Sequence, residues 1–263
     1  MTTEASSYYT RVDDDVFRPT LHAQGAWSDD EIHFANLAGL LLHELERRFA
    51  DLFTAGFVAS RLAYEILGVP ALDDCRVSSR VVRPGRTIQL VELEVAIGSR
   101  TAGTLRAWLL ASRDTADRQG TPVDPLPSPA EATPFDVAGK WGGGFIRSVE
   151  GRELEEGRPG RHRAWLRPGY PLVEGEESGP LASFGSILDV ANGIAVREGP
   201  DTLAFPNVDM TVHLARAPKP GWVGFDTSVT FGPTGQGVTH TVLHDETGHV
   251  GYISQSLTVR PMA

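Results

Sequence analysis

The sequence predicts an α+β fold built twice in one chain, each copy a long helix followed by four antiparallel strands. Two observations carry this. The same order of signals recurs in both halves, and the strings FVASRLAYEILGVP (57–70) and FPNVDMTVHLARAP (205–218) share length, an initial Phe and a final Pro at an offset of 148 residues. Applied to the first predicted helix, 31–50, that offset gives 179–198, where a second helical pattern is found independently. A period this long, met only twice, means a duplicated fold rather than a solenoid.

In the first half Ser28-Asp29-Asp30-Glu31 has capping-box spacing, with Ser28 placed to accept from a free helix amide and Glu31 to reach back. Phe34, Ala38, Leu41, Leu45, Phe49 and Leu52 then recur at three- and four-residue steps, the helical period. Extended runs follow at about 57–67, 75–83, 86–97 and 102–113, and Thr87–Val95 alternates with period two. The second half opens with Ser178-Gly179-Pro180, the proline falling in the first turn where its missing N–H costs little. A continuous helix through about residue 193 is predicted, with Leu181, Phe184, Leu188 and Ala191 as its stripe and Asn192-Gly193 as its stop. Extended runs follow at 205–214, 222–231, 236–245 and 249–260. Residues 114–140 carry five prolines and residues 151–163 are polar, so both read as surface connections. The predicted organisation is a first unit at 1–113, a linker at 114–163 and a second unit at 164–263.

With 263 residues, 41% apolar and 22% charged, the chain can build a sizeable core. The net charge of −10 disfavours a nucleic-acid partner, because an acidic surface repels phosphate backbones. A single cysteine, Cys75, excludes an intrachain disulfide framework and suits a reducing cytosol. The polar, acidic N-terminus is not that of a signal peptide, and the longest apolar stretch, near Leu37–Leu42, is far too short to span a bilayer. A cytoplasmic protein is expected. No phosphate-binding loop, G-x-S-x-G elbow or H-E-x-x-H motif is present, and Trp141-Gly142-Gly143-Gly144 reads as a flexible run. His240, His244 and Asp245 could ligate a metal, but a polar hairpin tip explains them better, so no metal and no cofactor is expected.

The strings ILDVANG (187–193), NVDMTVHLAR (207–216), GWVGFDTSVTFGPTGQG (221–237) and DETGHVGYISQSLTVRP (245–261), together with RLAYEIL (61–67), VVRPGRTIQLVELEV (81–95) and GTLRAWLLAS (103–112), resemble the TesB-like acyl-CoA thioesterases in order and spacing. The resemblance covers most of residues 18–260. It implies a double hot-dog fold, in which each antiparallel sheet wraps a central helix. It also implies hydrolysis of an acyl thioester, carried by CoA or an acyl carrier protein, in a monomer or homodimer. The family's site joins a helix aspartate, a strand-start hydroxyl and a last-strand glutamine around a water molecule. These map onto Asp189, Asn207 and Gln255, and Asn207 departs from the pattern because it supplies no hydroxyl.

The residues themselves allow more than one reading. Asp189 sits among Phe184, Ile187, Leu188, Val190 and Ala191, where dehydration raises a carboxylate's pKa toward working pH and suits it to activating water. Alternatively it is a helix-end carboxylate bonded to backbone or an arginine. Gln255 interrupts the apolar row Ile253, Leu257, Val259, as a substrate-binding amide or a structural one. Alternation puts Val208, Met210, Val212 and Leu214 on one face and Asn207 on the other, unless its place after Pro206 turns it inward. Thr211 is the nearest hydroxyl. His33 corresponds to a histidine often found there in the family, lining the acyl tunnel or simply packed in the core. Leu41 stands where the first half would carry the aspartate, and Leu109 or Leu110 where it would carry the glutamine, so a single working site is expected. The rival expectations are a non-catalytic acyl-CoA or lipid binder, which the missing hydroxyl favours, and a hot-dog enoyl-CoA hydratase. The second helix lacks the histidine–acid pair a hydratase would need.

Overall fold

The computed structural model describes residues 5–262. A hairpin of β1 (Tyr9–Asp13) and β2 (Val16–Pro19) precedes the long helix α1 (Phe34–Arg48) and the short α2 (Ala50–Thr54). Four strands follow: β3 (Phe57–Ile66), β4 (Cys75–Arg83), β5 (Ile88–Ile97) and β6 (Arg100–Ala111). The second half begins with β7 (Thr133–Pro134), α3 (Gly144–Ser148), β8 (Glu150–Glu153) and β9 (Arg161–Arg167). Its helical segment comes in three pieces: α4 (Pro180–Gly185), a 3-10 turn (Leu188–Val190) and α5 (Ala191–Ile194). After β10 (Leu203–Ala204) come β11 (Asp209–Leu214), β12 (Val223–Phe231), β13 (Gln236–Asp245), β14 (Gly248–Thr258) and β15 (Arg260–Pro261).

Thirteen strands form one antiparallel sheet in the order β1-β2-β4-β5-β6-β3-β11-β14-β13-β12-β9-β8-β7. The order is the same read inward from either end between β2 and β9. The seam is β3 against β11, where Tyr64 faces Met210, Ala63 faces Thr211 and Leu62 faces Val212. Because Ala63 and Thr211 are themselves 148 residues apart, this register is symmetric about their pairing: a pseudo-two-fold axis passes there. α1 lies against β4, β5 and β6 of its own half, α5 against β12 and β13, and α1 packs on α4. That packing is close: a Cβ on Gly39 would stand 2.7 Å from Ser186 Cβ, and one on Gly185 would run into Leu42.

Four expectations need correction. Glu31 Oε1 does accept from the Ser28 amide, but the motif closes a turn ahead of the helix. α1 itself is capped by His33, whose Nδ1 accepts from the Ala35 amide at 3.2 Å. The second helix is not continuous: Gly185 weakens it and Ser186 Oγ bonds back to the Ser183 carbonyl, an alternative to the helical ladder. Residues 151–163 are no surface connector, since they contain most of β8 and the start of β9. On β9, His162, Ala164 and Leu166 point inward, while Arg161 and Arg163 pair with Asp226 and Glu155 on the other face. Those outer charges hide the strand in the sequence. Nor is the glycine run after Trp141 a flexible one: a side chain at Gly143 or Gly144 would collide with the Gly25 and Leu21 carbonyls, so glycine allows two backbones to meet.

α1 is buried almost all round, Glu44 included. Arg11, Arg47 and Arg48 bond its two oxygens at 2.6–3.0 Å. Burial alone would push this carboxyl up, and the three guanidiniums outweigh it and hold it below its ordinary value. Replacing one member of a buried pair leaves uncompensated charge, at a cost of about 3–5 kcal/mol. Because the arginines keep some solvent contact, Glu44→Ala is expected to lower the unfolding free energy by about 3 kcal/mol in urea titration, near the bottom of that range.

Candidate active site

Asp189 sits on the 3-10 turn that follows the break in the second helix, with 5% of its surface exposed. Its Oδ1 accepts from Asn207 Nδ2 at 2.7 Å and from Gln255 Nε2 at 3.1 Å. Among the described residues, no donor reaches Oδ2. Gln255, on β14, is 1% exposed, and its own Oε1 is buried without a hydrogen-bond partner. A carboxylate only accepts, so the amide group of Gln255 must turn its NH2 to Asp189 and keep its oxygen free.

Asn207 reaches this cluster through a β-bulge. Along most of the β11–β14 ladder Thr211 faces Ser254, yet Asn207 faces Leu257, so β11 carries one extra residue between them. Asp209 Oδ1 accepts from the Ser256 amide at 2.6 Å and fills the gap in the ladder. The insertion shifts the phase of every side chain before it. Val208, expected in the apolar row, is therefore 45% exposed, and Asn207 points inward. Thr211 remains on the pseudo-two-fold axis and makes no hydrogen bond to Asp189.

Burial pushes the Asp189 carboxyl up to about 7, against the pull of the Asn207 and Gln255 donors. Burial likewise raises the Tyr64 phenol on the seam strand well above its usual value, and the nearby Asp189 charge adds to the effect. Both halves thus shape the acid's surroundings.

A cavity of about 780 Å³ adjoins the turn, with Val190, Asn192 and His33 in its wall. The Nδ1 of His33 is already occupied as the α1 cap, so the ring's proton lies on Nε2. Burial lowers its pKa to about 4, which leaves a neutral ring able to donate from Nε2. Sequence reasoning missed an aromatic group here. Trp27, Trp141 and Phe205 meet edge to face, with centroids 4.9–5.8 Å apart, and Trp141 Nε1 donates to the Gly193 carbonyl at 2.8 Å. The signal was present in Trp141 and the three glycines after it. At the far wall His162 bridges Glu153 and the Ile194 carbonyl, each at 3.1 Å. No group of three or more His, Cys, Asp or Glu able to hold a metal is found among the described residues. Asp245 is instead taken by Arg216, Thr247 and the Lys219 amide at its hairpin. Among the described residues, no helix is long and apolar enough to cross a membrane.

The raised carboxyl carries a stability consequence. An aspartate at its ordinary value of about 3.9 in the unfolded chain and about 7 in the folded one binds more protons when folded between those limits. Its contribution to stability therefore falls as pH rises through that window and stays low above it. Asp189→Asn, which keeps an oxygen for both amide donors, is expected to match the wild type near pH 4. It should exceed it by about 2–4 kcal/mol at pH 8, read from denaturant melts across the range.

The sequence matches the acyl-CoA thioesterase C-terminal domain over residues 122–259 and the acyl-CoA thioesterase N-terminal domain over 23–110. The comparison with curated proteins finds no match. Among solved structures, a hot-dog protein of unknown function from Alicyclobacillus acidocaldarius superposes with a TM-score of 0.72 at 11% identity, covering 98% of both chains. A TesB protein from Mycobacterium avium subspecies paratuberculosis gives 0.66 at 18% identity over 96% of each chain. The acyl-CoA thioesterase II TesB2 of Mycobacterium marinum gives 0.62 at 13% identity, over 97% of this chain and 96% of that one. These likenesses show the hot-dog fold. With the two domain matches spanning most of its length, the chain belongs to the acyl-CoA thioesterase family, whose members are thioester hydrolases.

Proposed function

We propose that the chain is a double hot-dog acyl-CoA thioesterase with one working site, in which Asp189 acts as general base on water. The observation that carries this reading is the pair of unpartnered acceptors, Asp189 Oδ2 and the buried Gln255 Oε1, belonging to side chains already joined at 3.1 Å. A water between them donates one proton to each, and its lone pair is then directed at the substrate. Asn207 supplies no hydroxyl; it fixes the carboxylate through Oδ1 and leaves Oδ2 for chemistry.

The water oxygen adds to the thioester carbonyl carbon as its proton passes to Asp189, and the carbonyl π pair moves onto oxygen. The neutral His33 ring, with Nε2–H in the cavity wall, is the proposed donor to that oxyanion. Helix-terminal amides are poor candidates, because the Leu181 and Ala182 amides of α4 already bond Glu46. Collapse restores the C=O bond and expels the thiolate, which takes the proton back from Asp189. The products are a carboxylic acid and CoA. The apolar inner wall, with Trp27, Trp141 and Ile146, would take the acyl group, and the charged rim, with Lys140, Arg158 and Arg197, would face the nucleotide end.

A thiol-release assay over an acyl-CoA series tests this. Asp189→Asn is expected to lower kcat by at least 10²-fold, the usual range for a general base being roughly 10²–10⁴. Gln255→Ala and Asn207→Ala should each reduce it less. Since His33 is already neutral above about 4, kcat/KM should rise with pH through the ionisation of Asp189 near 7 and level off above it. Saturable acyl-CoA binding with no turnover at any chain length would instead make this a binding protein, as the missing hydroxyl would suggest.

A further inference from the structure

The pseudo-two-fold axis gives the acid site an image in the first half. The offset carries Asp189 and Asn207 onto Leu41 and Ala59. Gln255 falls on Ala107, not on Leu109 or Leu110: Gln255 pairs with Thr239 as Ala107 pairs with Val91, each a 148-residue counterpart. The polar triad is replaced by three apolar side chains.

A second cavity, of about 360 Å³, lies beside this image, with Ala59 in its wall. Four positions of its wall map onto the wall of the larger cavity. Under the same offset Ala50 corresponds to Glu198, Phe53 to Asp201 and Glu46 to Ile194, while Leu181 is the image of His33. Both volumes fall in the range of roughly 300–1,000 Å³ typical of small-molecule sites. The duplicated fold therefore forms hollows at related places in the two halves, the larger lined by charged side chains and tryptophans and the smaller mostly by apolar ones, Phe53 and Phe57 among them. Glu46 is the one charged side chain lining the smaller cavity, and its oxygens already accept from the Leu181 and Ala182 amides at 3.0 and 2.9 Å. A free carboxylate entering there would meet the like charge of Glu46, whereas an uncharged tail would meet a mostly apolar wall.

The geometry points to this cavity as a second, non-hydrolytic site that binds the alkyl tail of an acyl thioester, its head group remaining outside. The ligand class rests on the thioesterase reading above; the site itself rests on the symmetry and the lining. Leu41, Ala59 and Ala107 replace the three polar groups that would hold a water, so occupancy leaves the thioester intact.

The test is calorimetric titration of the full chain with S-dodecyl-CoA, a thioether that cannot be hydrolysed, and separately with dodecanoate. Two equivalents of thioether should bind the wild type. One should bind Ala59→Trp, which fills the cavity, and one should bind Phe53→Asp, which restores the acid found at Asp201; thermal melts establish that both variants are folded. A single equivalent that neither variant removes overturns the proposal. So does a wild-type dimer that binds one equivalent and is dissociated by Phe53→Asp, because a second copy would then cover the cavity. Dodecanoate filling the second site as tightly as the thioether would overturn the preference for an uncharged ligand. If no acyl-CoA is hydrolysed while two equivalents of thioether still bind, the hydrolytic reading fails and the second site stands.

Discussion

A carboxylate taken out of water is costly unless something compensates it, and here the compensation is partial and one-sided. Two neutral amide groups bond Oδ1 of Asp189, and among the described residues no cation does. That balance contrasts with Glu44 in the same core, where three guanidiniums keep a buried acid ionised. The same residue class thus reaches opposite protonation behaviour through the charge of its partners. Glu44 stays a fixed anion that ties α1 to the first hairpin. Asp189 is left near the point where it can take and return a proton.

The backbone around Asp189 is arranged to hold that balance. Three departures from regular structure converge on it. The break after Gly185 turns the acid out of the helical line, the bulge before Asp209 turns Asn207 in, and the glycines after Trp141 let a distant segment close over the adjoining cavity. Regular elements alone would have sent Asn207 to solvent. The long helices and strands supply position, and their interruptions supply direction.

Much of this architecture was legible in the chain. The eight long strands and α1 follow from periodicity, the strands from alternation and α1 from apolar residues at three- and four-residue steps, although α1 is buried almost all round. The 148-residue offset also holds in three dimensions, down to the pairing of Ala63 with Thr211. What escaped the sequence had a common cause: charge on the outer face masking a strand, as with Arg161 and Arg163 on β9, or a packing requirement that looks like flexibility, as with Gly143 and Gly144. The bulge was invisible because a one-residue insertion leaves composition unchanged and alters only phase. Asp189 and Gln255 were identifiable as polar groups in apolar rows. That they touch was a matter of tertiary structure, since 66 residues separate them.

Joining the two halves covalently has a thermodynamic consequence. An assembly of two identical chains meeting at the β3–β11 seam would repeat every side chain across its axis, so each buried acid would come with a twin bearing the same dehydration cost. In a tandem chain the two positions vary independently. Leu41 can be fully apolar while Asp189 is not, so the dehydration cost of that acid is met once and the opposite side contributes undiminished packing.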